Sequence, residues 1–518
     1  MTAACLLGSL PASANNISIS AGTLTGNTGT VVDVQFDLSW ENSWRIDPDR
    51  WDAAWVFVKY RNAGTGLWEH ARLGDDATHQ AGSGTPSTIS TGLLDPALPF
   101  DAGTNWGVGV FIHRSAAGSG TFTTTDVKLR WNYAQNGIAY TEIADVQVFA
   151  VEMVRIPEGP FHVGSGGTEP GSFTDGAWGS GPTIPFLITS ENALTIAPNA
   201  GSLWGTSSSG NSSIGGTGTL PAAFPKGYKA FYMMKHELTM QQYADFLNTL
   251  TRTQQNTRTA TDIAPGIFIV NNYFVMVNSS GPFPTIRSGI RCDVNVNPTA
   301  PITFYCDLNN NGVGGEADDG AWVPCNPLSW ADIAAYLDWS GLRPMTELEF
   351  EKACRGSLLP VAGEYAWGTT NSTRANSIVD PGANTESVSP VGANANHFQD
   401  GFFSLGPVRV GAFATGSSDR ELAGAGYYGN LELSGNMMEK PVTVGNATGR
   451  AFTGALGNGA LSAVGQADVP AWPGTNAIGI GFRGGDYVNQ VAFLRTSDRT
   501  NANTVSSNRG QGSGRGVR

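Results

Sequence analysis

The chain has 518 residues and a mass of 54.4 kDa, more than one core usually supports, so two or more domains are expected. Charged residues are 14%, aromatic residues 10% and Gly numbers 67, which excludes a disordered or coiled-coil chain and points to loop-rich, β-leaning globular structure. A net charge of −13 argues against nonspecific nucleic-acid binding, and no apolar run reaches the roughly 18 residues of a membrane-spanning helix.

Residues 1–14, MTAACLLGSLPASA, read as the back half of a secretory signal: a short apolar run, then the small-residue pattern Ala12-Ser13-Ala14, without the charged front end. Export to the medium or the cell surface is expected, and Cys5 would leave with the signal. Residues 15–151 form a block of alternating apolar and polar positions. Examples are Val32 to Leu38, Ala54 to Tyr60, Val108 to Ile112 and Asp145 to Val151, separated by Gly, Asn and Asp turns. With no helical periodicity, an all-β sandwich of immunoglobulin-like type is expected. Trp40, Trp44, Trp51, Trp55, Trp106 and Trp131 suit either core packing or a carbohydrate-stacking face, and core packing is expected for most of them.

A second block, residues 152–518, opens near Met153. Residues 165–225 are rich in Gly, Ser, Thr and Pro and read as a long surface insertion. Helical periodicity comes next at Thr239–Leu250, with Tyr243, Phe246, Leu247 and Leu250 on one face, and at Ser329–Leu337. Thr346-Glu347-Leu348-Glu349 is a capping box that opens a third helix to Cys354. After Gly356 the chain is turn-rich with short strands. Such a loop-dominated α+β domain needs staples. Cys292, Cys306, Cys325 and Cys354 lack zinc spacing, but one or two disulfides among them would serve an exported protein. Asp307-x-Asn309-x-Asn311-Gly312, with Asp318 at the twelfth position, has the spacing of a calcium loop, although a solvated Asn/Asp/Gly turn would carry the same residues.

The closing segment 481–518 contains six Arg and no Lys or Glu, with Asn, Gln, Ser or Thr at thirteen positions. Arg would hold such a segment down through forked hydrogen bonds, while small polar side chains make an adaptable contact surface. The competing reading of the composition is a disordered Gly/Ser tail.

Six motifs then occur in order. They are Met153-Val154-Arg155-Ile156-Pro157-Glu158-Gly159, Phe231-Tyr232 to Asn248, SWADIAAYLDWSGLRPMTELEFEKACRG (329–356), Tyr365-Ala366-Trp367-Gly368, Gly435-Asn436-Met437-Met438-Glu439 and Gly481-Phe482-Arg483-Gly484-Gly485. Together they resemble the formylglycine-generating-enzyme (sulfatase-modifying factor) family, a branch of the C-type lectin fold. The resemblance covers roughly residues 152–518, and GFRGG is expected as a core strand. In that family a cysteine pair after the RGG motif binds copper and oxidises a substrate cysteine. Residues 486–499 contain no cysteine, so no soft site for copper is expected and the oxidase activity is expected to be absent.

The segment after GFRGG resembles the C-terminal variable region of diversity-generating-retroelement target proteins, which share the lectin fold. There, adenine mutagenesis of a template turns Asn codons into many residues but never Lys, Glu, Trp or Met, and 481–518 lacks all four. Gln490 and Gln511 do not arise from Asn codons. The resemblance implies ligand-binding positions at Tyr487, Asn489, Phe493, Thr500, Asn501, Asn503, Gly510 and Ser513, with Arg495, Arg499, Arg509 and Arg515 as framework. It places GFRGG inside an ordered domain end, against the disordered-tail reading.

The sulfatase-modifying resemblance also implies two calcium sites. One would use the Asn376 side chain, the Ser377 carbonyl, Asp400 and the Phe402 carbonyl. The other would use Glu432, the Gly435 and Met437 carbonyls, and Glu439. Glu432 stands where the family more often has Asn, and Lys440 stands beside Glu439.

Hydrolase chemistry finds little support: there is no Gly-x-Ser-x-Gly elbow or phosphate loop, and Met240 comes after His236-Glu237 where a zinc protease helix needs His. The leading expectation is a non-catalytic binding protein whose C-terminal lectin-fold face takes a variable protein or glycan ligand, on other cells or phage. The alternatives are an enzyme of the same family with altered chemistry and a structural or adhesive surface module.

Overall fold

Val32, Val34, Phe36, Leu38 and Trp40 alternate along one strand, and all five are buried, so the pleat presents a continuous apolar face. A computed structural model describes residues 16–176, 183–207, 210–270, 273–277, 284–398, 406–510 and 512–518. The signal candidate 1–14 and the metal candidates Asp400 and Phe402 lie outside the described residues.

The N-terminal part is built on strands β1 (Val32–Arg45), β2 (Asp52–Asn62), β3 (Ser87–Leu93), β4 (Gly107–Arg114), β5 (Gly118–Trp131) and β6 (Ile143–Ile156). β1 pairs with β5 in one antiparallel sheet, and the other runs β6-β2-β4-β3. Alternate residues of both sheets, from Val34 and Leu129 to Val56 and Ile112, meet in one core. The six Trp named above are all buried, which gives them packing roles rather than an open stacking face, while Trp68 is half-buried.

The second sheet does not stop at the N-terminal part. Residues 143–154 of β6 pair with β2, and residues 153–156 pair with β7 (Phe231–Met234). β7 pairs in turn with the chain's end, and the expected boundary between residues 151 and 152 falls inside β6. β2 is buried on both faces: Ala54, Val56 and Val58 point into the sandwich, Ala53, Trp55 and Phe57 into a second core with the C-terminal part. The run AAWVFVKY therefore reads as a doubly covered strand rather than a half-buried one.

The C-terminal part contributes helices α1 (Met240–Asn248), α2 (Arg252–Arg258), α3 (Trp330–Trp339) and α4 (Glu347–Arg355). Its strands include β8 (Ile290–Cys292), β9 (Phe304–Cys306), β10 (Arg343–Pro344) and β11 (Gly516–Val517). Four capping boxes start the helices, Thr239/Gln242, Thr251/Gln254, Ser329/Asp332 and Thr346/Glu349, each satisfying backbone donors that the first turn leaves open. The extended sheet ends β7-β11-β10, so the last residues lie inside the domain. Residues 165–225 are more than a surface insertion. Phe173, Ile188, Ile196, Leu203 and Leu220 sit on short strands and enter the shared core.

No disulfide joins any two of Cys292, Cys306, Cys325 and Cys354, all of which are buried. The expected strand at GFRGG reduces to one antiparallel bridge, Arg483 with Glu439. Gly484 and Gly485 come next at φ of 81° and 65°, a left-handed turn that ends extended pairing. Among the described residues no helix is long and apolar enough to cross a membrane.

Candidate functional site

α4 sets Glu347, Glu351 and Arg355 one turn apart on a single face. Arg483 lies across that face and donates to Glu347 Oε2 (2.9 Å), Glu351 Oε1 (2.7 Å) and the Thr496 carbonyl (2.6 Å). Arg499 donates to the Gly171 and Ser212 carbonyls and forks onto Glu347. Arg355 continues the network to Glu364, Glu351 and Ser497 Oγ. The Phe350 and Phe173 rings lie 5.0 and 4.2 Å from the Arg483 and Arg499 guanidiniums. Burial alone would raise the Glu347 pKa, but Arg499 and Arg483 hold it below the ordinary carboxylate value.

The same device recurs along the tail. Arg509 pairs with Asp332 (2.8 and 2.9 Å), and Arg515 donates to Glu439 (2.5 Å) and to the Met234 and Lys235 carbonyls. Arg495 is half-buried and turns to Tyr365. Buried ion pairs are thus the staples of this loop-rich domain, in place of the expected disulfides. The spacing Glu347-x-x-x-Glu351-x-x-x-Arg355 carried that signal in the sequence.

Between the arginines, Asn489, Phe493 and Asn501 line a cavity of about 10 Å³ with Met438, Phe482 and Asp498, directly against Gly484 and Gly485. Thr500, Asn501, Asn503 and Gly510 are half-buried, and no atom lies within 4 Å of a Cβ built on Gly510. The Asn503 side chain accepts from Asn446 Nδ2 (2.7 Å) and donates to the Gly445 carbonyl (3.2 Å). Two candidates are corrected. Tyr487 is 2% exposed, because its N–H pairs with the Asn436 carbonyl and draws the residue inward. Ser513 is fully buried, between Gly512, which lies against Lys440, and Gly514, which lies against Ile333. Val488 and Val505 are exposed on the same segment, and sequence reasoning missed them because they are apolar.

The metal candidates separate. Glu432 Oε1 accepts the Gly411 N–H (2.7 Å), and Arg515 takes Glu439 Oε1, while Glu432 Oε2 and Glu439 Oε2 are buried without partners. Burial raises the Glu432 pKa to about 7. Buried carboxylate oxygens without partners are the kind of donor a hard cation takes. Glu237, which the sequence did not single out, is close enough for the Glu432 and Glu439 charges to act on it, and it accepts from Asn436 Nδ2 and the Met437 N–H. Asn376 and Ser377 are exposed at the start of a short hairpin (Ser377–Val379 with Ser387–Ser389).

In the calcium-type loop Asp307 is not free to bind. Arg291 takes its Oδ2, and the Asn311 and Gly312 N–H groups fill the rest. Asn309 donates to Asp318 Oδ1 (3.0 Å), and Asn311 donates to Glu316.

Cys354 lies on α4 beside the arginine frame, and burial pushes its thiol up to about 12 despite Arg355 and Arg483. The tail itself supplies no thiol near the cavity at Gly484 and Gly485. A larger cavity, about 410 Å³, opens between the N-terminal sandwich and the C-terminal part, against Phe149, Gln241, Asp245, Trp322 and Trp339. None of the sequence-derived candidates lines it.

Residues 142–514 match the family described as the sulfatase-modifying factor enzyme 1-like domain. A search of the curated proteins returns no match.

Proposed function

The chain belongs to the sulfatase-modifying factor enzyme 1-like family, and from that premise we propose that it is a non-catalytic ligand-binding protein whose C-terminal face is diversified by a retroelement. The reading rests on Arg483, Arg499, Arg509 and Arg515, each of which pairs with a carboxylate outside the tail, the first two and Arg515 out of solvent and Arg509 half-buried. The backbone between them is therefore held whatever side chains stand at Asn489, Phe493, Thr500, Asn501, Asn503 and Gly510. A scaffold of that kind accepts sequence change at its surface without unfolding. Partners are a variable protein or glycan on another cell or phage, met by a secreted or surface-displayed chain. The N-terminal sandwich, of immunoglobulin-like type, shares a core with this domain and supports it from behind. Calcium at Glu432 and Glu439 stiffens the floor beneath this face.

The genomic neighbourhood tests diversification. It should hold a reverse transcriptase beside a near-copy of the coding sequence for residues 481–518, differing at adenines. If both are missing, the binding face is fixed and diversification is abandoned. Copper titration of the purified protein tests the enzymatic alternative: stoichiometric Cu(I) binding at the tail would restore an oxidase reading.

A further inference from the structure

We propose that residues 307–319 hold a calcium-class divalent cation through Glu316, Asp318 and Asp319. These carboxylates each place an oxygen within 4.8 Å of the others. Glu316 and Asp318 are exposed and form a rim. Asp319, 1% exposed, forms the floor. Asp319 Oδ2 accepts the Glu316 N–H (2.7 Å), but its Oδ1 is buried and meets no donor. A buried carboxylate oxygen left bare between two further carboxylates is costly unless a positive charge completes the group. No Lys, Arg or His among the described residues pairs with any of the three, and the nearby Arg291 is spent on Asp307.

The ligand set is thus displaced toward the C-terminal end of the motif, away from Asp307. Side-chain amides now stand where the cation would act: Asn309 reaches Asp318 and Glu316, and Asn311 reaches Glu316. The frame around the group is fixed. The Leu308 N–H bonds the Asp319 carbonyl (3.1 Å), the Gly320 N–H the Gly382 carbonyl (2.9 Å), and the Asn384 N–H the Ala317 carbonyl (2.8 Å). All-oxygen donors on an open rim suit calcium better than magnesium, which demands a tight octahedron. Water and loop carbonyls complete the shell. The bound cation locks this loop to the 382–384 turn.

Terbium reports on the site, because the Tyr305 ring lies against Gly314 of the loop and can sensitise its emission. Chelator-stripped full-length protein should give Tyr-sensitised Tb³⁺ emission that Ca²⁺ competes away. Glu316→Gln with Asp318→Asn should remove that emission and one bound equivalent by calorimetry, leaving any cation at Glu432 and Glu439 in place. Asp318→Asn alone, at an exposed position, should weaken binding with the fold intact by circular dichroism. Ca²⁺ should raise the melting temperature of the parent more than that of the double variant. Unchanged stoichiometry in the double variant, or a parent that binds neither ion, would overturn the assignment.

Discussion

Arg499 forks onto Glu347, Nε at 2.8 Å from Oε2 and Nη2 at 3.0 Å from Oε1, with both side chains fully out of solvent. The pair joins the tail to the first turn of α4. Removing one partner leaves the other charge buried and only partly compensated, so Arg499→Ala should cost about 3–5 kcal/mol. Arg499→Lys should recover only part of this, since an ammonium cannot reproduce the fork. Urea unfolding of the three proteins measures both effects. A loss below about 1 kcal/mol for the alanine variant would show that the pair does not hold the tail.

The neighbouring positions should behave oppositely. Thr500 and Asn501 are half-buried at the surface, and Thr500 is held through its backbone N–H, which donates to Asp498 Oδ1 (2.9 Å). Thr500→Ala and Asn501→Ala should each shift unfolding by less than about 1 kcal/mol. The same variants should change capture of whatever ligand the parent retains. Tyr487→Phe deletes a buried hydroxyl that has no partner, so it should be neutral or stabilising by about 1 kcal/mol and leave ligand capture untouched. Lost capture in Tyr487→Phe would return that residue to the binding face.

Much of this arrangement was legible in the residues. Thr239, Ser329 and Thr346 marked three helix starts, because a capping box is a local device and its signal is local. The alternation of β1 likewise announced one buried face. The hidden features depend on distant partners. Nothing near Met153 announces that β6 leaves β2 and takes up β7. Tyr487 reads as a display residue until the Asn436 carbonyl is known to pull it in. Asp307 opens a good calcium motif, yet Arg291, sixteen positions earlier, occupies it.

Asp486 gives the tail a pH dependence. Burial raises its pKa from 3.8 to about 7, against the N–H groups of Val488 and Asn489, and its Oδ2 has no partner. The unfolded chain ionises near 3.8 and the folded chain near 7. This group's contribution is therefore fully present below the lower value and is lost as pH rises through the upper one. Between them its slope reaches about 1.4 kcal/mol per pH unit. Asp486→Asn should thus gain stability relative to the parent as pH rises from about 4 to about 7 and run parallel above it. Parallel profiles throughout that window would place the Asp486 titration elsewhere.

The N-terminal sandwich and the C-terminal part should unfold as one unit, because their joint is built like a core. The Trp55 indole donates to the Ser340 carbonyl (2.8 Å), and the Arg518 guanidinium stacks 4.5 Å from the ring. Gly92 and Gly109 press so close that a Cβ on either would sit 2.5 or 2.6 Å from the indole. Phe57 meets Trp339 edge-on at 5.0 Å, and Phe111 stacks on Tyr232 at 3.7 Å. Trp55→Ala opens a cavity that this close packing cannot refill and should cost about 3–5 kcal/mol. Calorimetry should show a single transition for the parent, displaced as a whole in Trp55→Ala. Two separated transitions, with only the sandwich shifted, would mean that the two parts are docked and not co-folded.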